Sequence, residues 1–333
     1  MYSFALPSSD MRAVSCSAFG PVADVVVKEH PSPALPAGWV RIAVRAAGVN
    51  FVDGLMVQGL YQAKPALPFV PGGELAGVIS ELGEGVTSHA IGDRVCAILP
   101  WGGFAEEVAV PHQMAMPSPS TLTDAQAATF VQSYGTSWFA LRHRVQAQAG
   151  QSLLVLGAGG GVGLAAVDIG RMLGVRVIAA ASSSDKRDLA VQFGAESVID
   201  TSSEDLKTRA RELSGGGVDL VYDPVGGSLA EPAVRALADD GQYLVVGFAA
   251  GEIPRLPLNL VLLGNRRIVG VNWGGWFRGH LAENAAMLAD MVAAVERGEL
   301  HPVAPTEYAF ADAARALDDQ VQRRVAGKSA LIL

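Results

Sequence analysis

One stretch constrains the fold more than any other. Residues 152–156 (Ser-Leu-Leu-Val-Leu) are an apolar run that passes directly into Gly157-Ala-Gly-Gly160-Gly161-Val162-Gly163 and then into Leu-Ala-Ala-Val. A short apolar run bounded by glycines reads as a buried strand, and the residues after the glycines suit a helix. A strand that turns at once into a helix needs a tight turn and close helix–strand packing. It also leaves the first N–H groups of the helix free to hold an anion such as a pyrophosphate. Gly157, Gly160 and Gly163 are spaced GxxGxxG, a relative of GxGxxG and not that pattern itself. Helix–strand packing alone is the competing reading. The strand–loop–helix context and the repeats that follow favour a dinucleotide site, with Gly157, Gly160, Gly161, Val162 and Gly163 as its phosphate-binding residues.

Those repeats are strands over 175–180, 197–199, 218–222, 241–246 and 267–271, separated by helices over 162–173, 185–193, 203–213 and 228–237. Such alternation, with nearly continuous apolar strands, predicts a doubly wound parallel sheet. Upstream, residues 25–28, 39–45, 75–82, 94–99 and 104–110 are short strands without intervening helices, which suggests a small barrel. Two helices are expected between these regions, one opening at Asp124 with Thr123 as N-cap and one over 137–145. The tail holds a long amphipathic helix over 281–297, a strand over 307–310, a helix over 312–322 and a strand over 329–333. It is too short for a domain of its own, so its return to the first domain is expected. The fold class is therefore α/β: a Rossmann-type sheet, residues 123–272, inserted into a β-rich domain split between 1–122 and 273–333.

With 333 residues, half of them apolar and 17% charged, the chain is long enough for two cores and too apolar for disorder. A net charge of −8 argues against a nucleic-acid surface. The longest uncharged stretches, 125–141 and 151–167, are interrupted by Gly, Ser, Gln and Tyr and do not read as membrane spans. No secretory signal is visible, and a cytoplasmic protein is expected. Cys16 and Cys96 are far apart and read as buried thiols, and the six histidines show no ligand spacing, so no metal site is expected.

The end of the second strand of the parallel sheet discriminates between dinucleotides. An NAD site places Asp or Glu there to take the ribose 2′-hydroxyl. This chain has Ala181-Ser182-Ser183-Ser184-Asp185-Lys186-Arg187. Hydroxyls and cations suit a 2′-phosphate, so Ser182, Ser183 and Lys186 point to NADPH. The alternative is that Lys186 and Arg187 are solvated charges at a helix start, with Asp185 and Asp188 beside them.

Several motifs together resemble the medium-chain dehydrogenase/reductase superfamily, in its zinc-free quinone oxidoreductase (zeta-crystallin-like) branch. They are Ala47-Gly-Val-Asn50-Phe-Val-Asp53, Gly59-Leu-Tyr61-Gln, Leu67-Pro-Phe-Val-Pro-Gly-Gly73-Glu74, Gly92-Asp-Arg-Val95, the glycine loop, and Asp223-Pro-Val-Gly-Gly227. Met11-Arg-Ala-Val resembles the usual start of such proteins, so residues 1–10 read as a dispensable extension. The resemblance implies a GroES-like catalytic domain split by the Rossmann domain, with nicotinamide held between them. It also implies a homodimer through Rossmann edge strands, here residues 267–271.

Zinc-dependent relatives carry Cys where this chain has Asn50 and His where it has Gly73; only Glu74 remains. One carboxylate cannot supply the three protein ligands of a catalytic zinc. Between Gly92 and Val110 there is a single cysteine, Cys96, so the structural zinc lobe is not expected either. Hydride transfer to a quinone or conjugated enone fits a site without a metal, because the extended acceptor delocalises the developing charge.

The resemblance implies that Tyr61 lines the cleft, since related enoyl thioester reductases use a Tyr here as proposed proton donor. Anchoring of the barrel is the equal alternative. Asn50 and Asp53 either orient substrate or, for Asp53, cap a helix. Thr136 either touches the carboxamide or caps its helix. Val225, Gly247 and Phe248 wall the nicotinamide ribose, and Asn272 follows the edge strand. Trp273 and Trp276 serve there or pack in the core or dimer interface. Arg323 corresponds to a position that reaches the 2′-phosphate in relatives, whereas Thr201 stands where some have a Tyr. Rival readings are an enoyl- or acrylyl-CoA thioester reductase, with Arg255, Arg266, Arg267 and Arg278 for the CoA phosphates, and a low-turnover NADPH-binding protein.

Overall fold

A computed structural model of the chain describes residues 10–333. Of the expected extension over 1–10, residues 1–9 lie outside the described residues, and Asp10 opens the first strand. The chain divides into two compact units. One runs to Val131 and resumes at Ala304; the other is Gln132–Val303.

In chain order, the first unit holds β1 (Asp10–Ser15), β2 (Val26–Pro31), β3 (Trp39–Val49), α1 (Phe51–Val57), β4 (Glu74–Leu82), β5 (Arg94–Ile98), β6 (Glu107–Pro111) and β7 (Met116–Pro117). Helix α2 (Asp124–Trp138) follows, and the division between units falls within it. The second unit continues with β8 (Ser152–Leu156), α3 (Gly161–Met172), β9 (Arg176–Ala181), α4 (Ser184–Gln192), β10 (Ser197–Asp200), α5 (Leu206–Ser214), β11 (Val218–Asp223), α6 (Ala230–Ala236) and β12 (Leu237–Val245). It ends with α7 (Asn259–Leu262), β13 (Arg267–Gly270), α8 (Trp273–Trp276) and α9 (Leu281–Glu296). The return to the first unit adds β14 (Thr306–Ala309), α10 (Ala313–Val321) and β15 (Ser329–Ile332).

The first unit is built on an antiparallel sheet with one parallel pair. Its order is β14-β15-β3-β4-β5-β7, with β6 also on β3 and β1-β2 as a separate ribbon. Strand β3 alternates buried with partly exposed positions over its first half and is nearly all buried over its second, where β15 joins it. Val40, Ile42, Val44, Val49, Leu75, Ile79, Val95, Phe104, Leu317 and Leu331 meet in one core. Thus the C-terminal strand completes the sheet begun by the N-terminal part, as the sequence suggested.

The second unit is a six-stranded parallel sheet in the order β10-β9-β8-β11-β12-β13. Renumbered within the unit this is 3-2-1-4-5-6, the doubly wound dinucleotide-binding order, whose switch point lies between β8 and β11. All five residues of β8 are buried, which explains its unbroken apolar sequence.

The structure revises three expectations. Residues 137–145 are not a separate helix: α2 passes into a π-helical segment, Phe139–Arg144, without a break. No glycine or proline interrupts the junction, and Ala140 accepts the Val145 N–H at 3.2 Å. Thr123 does cap α2, its hydroxyl accepting the Gln126 N–H at 3.2 Å while Gln126 Oε1 accepts the Thr123 N–H. The domain boundaries also shift, since 123–131 group with the first unit and 273–303 with the second. The cause of the latter is the buried Asp168 of α3. Its carboxylate accepts the His301 N–H at 2.6 Å and is paired with Arg171, which also donates to the Glu299 carbonyl. That network, joined by the Tyr134 hydroxyl at 2.9 Å, pins the segment after α9 to the parallel sheet's unit. Among the described residues no helix is long and apolar enough to cross a membrane.

Candidate functional site

The loops at the carboxyl ends of the parallel strands follow from the sequence. Gly157 leaves β8 at φ +59°, where a side chain is strained, and a Cβ there would lie 2.8 Å from Val225 Cγ2. A Cβ at Gly163 would meet the Gly157 carbonyl oxygen at 2.3 Å. The two glycines therefore let α3 start hard against the end of β8. Gly160 is the N-cap of α3, and Gly161, Val162 and Gly163 form its first turn. The N–H groups of such a turn have no intrahelical acceptor and face an anion.

That first turn is braced from behind. The Ser137 hydroxyl donates to the Val162 carbonyl at 2.9 Å, so its single hydrogen is committed and the buried Tyr222 hydroxyl, 2.8 Å away, is the donor to Ser137. Burial pushes the Tyr222 phenol well above its ordinary range, which keeps it a neutral donor. Neither residue stood out in the sequence.

At the end of β9, Ser183 is the N-cap of α4, and Ser182, Ser183 and Ser184 are exposed. The Lys186 stem lies against the glycine loop: a Cβ on Gly159 would be 2.3 Å from Lys186 Cβ. Arg187 is committed elsewhere, paired with Asp200 at 3.1 Å and donating to the Ala181 carbonyl. Lys186 thus lies against the glycine loop, Ser182 and Ser183 stand at the end of β9, and Arg187 is drawn away by Asp200. Thr201 follows β10, its N–H bound to the Ala181 carbonyl. After β11 and β12, the Gly247 N–H bonds the Asp223 carbonyl at 3.2 Å, and Phe248 is 39% exposed near Gly226.

Other candidates of this unit have mainly local roles in view. Thr136 lies inside α2 and donates to the Gln132 carbonyl at 2.8 Å, so it caps nothing. Asn272 caps α8, its Oδ1 accepting the Gly275 N–H at 2.9 Å. Trp273 is buried against Gly135 of α2 and donates to Asn284, which makes it core packing. Trp276 stands in an aromatic file with Phe139, His143 and His280, centroids 4.7–5.0 Å from its own.

The first unit holds a buried charged cluster that sequence spacing did not reveal. Asn50, at the end of β3, is the N-cap of α1, and Asp53, one turn in, accepts its N–H at 2.8 Å. Asp53 is therefore the partner of the cap and not the cap itself. Asn50 Nδ2 donates to Glu74 Oε2 at 3.2 Å, at the start of β4. The ammonium of Lys328 donates to Asn50 Oδ1 and lies 3.4 Å from Glu74 Oε2. Glu74 is 0% and Lys328 3% exposed. Lys328 is separated from its partners by 278 and 254 residues, so only the return of β15 onto β3 brings it there. Its one signal in the sequence is a lone charge immediately before an apolar terminal strand. Tyr61 lies in the loop after α1, 37% exposed. Arg323 adopts φ +57° just after α10, also in this unit.

Burial pushes the Asp53 carboxyl up to about 7; the Asn50 N–H and the nearby Lys328 charge oppose this, and Glu74 adds to it. Between its ordinary 3.8 and about 7, the folded chain holds a proton that the unfolded chain has lost. Stability therefore declines as pH rises through that window. Asp53→Asn is expected to flatten this slope, measured by urea denaturation from pH 5 to 8; an unchanged slope would contradict the assignment. Lys328→Met takes the ammonium away from the buried Glu74 carboxylate and is expected to cost about 3–5 kcal/mol at neutral pH. Adding Glu74→Gln should recover most of that loss, and failure to recover it would show that the pair is not coupled.

Comparison with known proteins agrees with this architecture. Residues 36–120 match the alcohol dehydrogenase GroES-like domain, and residues 161–291 match the zinc-binding dehydrogenase family. A quinone oxidoreductase-like protein 2 from Bos taurus is 37% identical over 311 residues, covering 93% of this chain and 89% of the relative. The structure of Escherichia coli quinone oxidoreductase complexed with NADPH is similar at a TM-score of 0.88 and 27% identity, over 97% of this chain and all of that one. A mycobacterial protein complexed with NADPH is similar at a TM-score of 0.89 and 29% identity, with the same coverage. The chain belongs to the quinone oxidoreductase branch of the medium-chain dehydrogenase/reductase family.

Proposed function

We propose that this protein is an NADPH-dependent reductase that transfers a hydride to a quinone or an α,β-unsaturated carbonyl compound, without zinc. The observation that carries the reading is Lys186 of α4 laid over the glycine loop, just past the end of β9, which carries serine where an NAD site would carry an acid. When bound, NADPH supplies the hydride. The Gly157–Gly163 turn and the first turn of α3 hold the pyrophosphate through N–H groups and the helix dipole. Ser182, Ser183 and Lys186 hold the 2′-phosphate by hydroxyl bonds and a point charge. Val225, Gly247 and Phe248 flank the nicotinamide ribose. Arg323, Asn272 and Thr136 remain proposed cofactor contacts, and Asn50, Asp53 and Tyr61 proposed substrate-side residues, with Tyr61 the accessible hydroxyl among them.

The family name implies a zinc ion, and the donors present do not suit one. Asn50 and Gly73 stand where the Cys and His ligands would be, and Glu74 is already neutralised by an ammonium. Cys96 is buried, with its thiol pushed up to about 12, chiefly by burial, and so resists forming the thiolate a metal requires. The chain's own groups must then stabilise the reduced oxygen by hydrogen bonding, which suits acceptors whose charge is delocalised.

A homodimer through β13 belongs to the same reading. This strand is the sheet edge, and Ile268 on it, with Leu258, Leu262 and Leu263 beside it in sequence, is exposed by 41–79%. Ile268→Arg with Leu263→Glu should shift sedimentation from dimer to monomer; a wild-type monomer would refute this.

The activity test is NADPH oxidation at 340 nm against small quinones, enones and acrylyl-CoA, with NADH in parallel. NADPH-specific turnover of quinones or enones is expected. Lys186→Ala should raise the KM for NADPH by about ten- to a hundredfold while sparing NADH, the loss of one charge-assisted bond. Turnover confined to acrylyl-CoA, or an NADH preference, would overturn the reading.

A further inference from the structure

The loop after β11 is folded around one carboxylate. Asp223 ends that strand and is 2% exposed. Its Oδ1 accepts the Val225 N–H at 2.7 Å and the Gly226 N–H at 2.8 Å, and its Oδ2 accepts the Tyr243 hydroxyl from β12. The loop so formed holds the next one by main-chain bonds. The Asp223 carbonyl accepts Val246 and Gly247 N–H groups, Pro224 accepts Ala249, and Val225 accepts Ala250. Gly226, at φ +67°, has no room for a side chain, since its Cβ would lie 2.9 Å from Phe248 Cδ1. On the other side Val225 rests against Gly157 of the phosphate turn. Among the described residues no Lys or Arg pairs with Asp223.

Apolar packing would join β11 to β12 more cheaply than a buried carboxylate does. What the carboxylate adds is a single loop shape, because three donors reach its two oxygens from defined directions. The place of that loop gives the shape a use. A dinucleotide with its 2′-phosphate after β9 and its pyrophosphate after β8 continues across the switch point, over β11 and β12. Its nicotinamide half then reaches residues 224–227 and 246–250.

We propose that Asp223, fixed by Tyr243, is a positioning residue for the nicotinamide half of the cofactor. It shapes both loops and does not touch the cofactor itself. The inference rests on the NADPH reading above. The test compares the dissociation constants of NADPH and of 2′-phospho-ADP, its adenosine half with the pyrophosphate and without the nicotinamide riboside, for the full-length wild type, Tyr243→Phe, Asp223→Asn and Asp223→Ala. Tyr243→Phe and Asp223→Ala should weaken NADPH by about tenfold or more, the scale of one or two lost charge-assisted bonds, and leave 2′-phospho-ADP within about twofold. Asp223→Asn keeps an acceptor oxygen and should fall between. If Asp223→Ala does not fold, the other two variants carry the comparison. Equal weakening of both ligands would reduce Asp223 to a fold-holding role, and unchanged NADPH binding would remove even its link to the cofactor; either overturns the proposal. Wild type binding neither ligand would overturn the NADPH reading, and this inference with it.

Discussion

A buried ammonium governs the first unit. Lys328 is only 3% exposed, and an isolated charge at such a depth is unfavourable by several kcal/mol. It is tolerated because Asn50 and Glu74 take its hydrogen bonds and balance its charge. Those partners lie at the end of β3 and the start of β4, and Lys328 comes in with β15, so one ion pair fixes three strands. Asp53 then fixes the entry of α1 by returning to the Asn50 N–H. The cluster places a protein cation on Glu74, the one zinc-ligand candidate that the family resemblance left in this chain. A carboxylate already neutralised in this way is a poor anchor for a second cation.

The second unit rests on a different constraint, a strand that becomes a helix within a few residues. The positive φ of Gly157 and the missing side chain of Gly163 make that turn possible. Around it the polar groups are committed in a defined order. Ser137 and Tyr222 brace the first turn of α3 from behind, Asp168 ties α3 to the segment before the second crossing, and Asp223 orders the loops after β11 and β12. Beside that turn stand the exposed Ser182, Ser183 and Ser184 and the stem of Lys186, the groups proposed to take the cofactor's phosphates.

Much of this was legible because local sequence dictates it. The buried parallel strands read as apolar runs, Thr123 as the N-cap of α2, and the serines with Lys186 as following β9. The inserted topology was legible too, since the tail could not stand alone. What was not legible depends on distant partners. Lys328 and Glu74 meet only through strand pairing across most of the chain, and Asp168 reaches His301 over 133 residues. Apart from the lone charge of Lys328 before an apolar terminal strand, nothing nearby signals such partners. The two helices expected between the domains are one, because the junction carries no breaker. Arg187 looked equivalent to Lys186 and is not, because Asp200 on the next strand claims it.

The proposed reaction needs no zinc, and Glu74 is held by the Lys328 ammonium. The direct measurement is the zinc content of the purified protein together with NADPH-dependent quinone turnover before and after exhaustive chelation. The account expects far less than one zinc per chain and unchanged turnover. One tightly held zinc per chain, with activity lost on its removal and restored on its return, would contradict it.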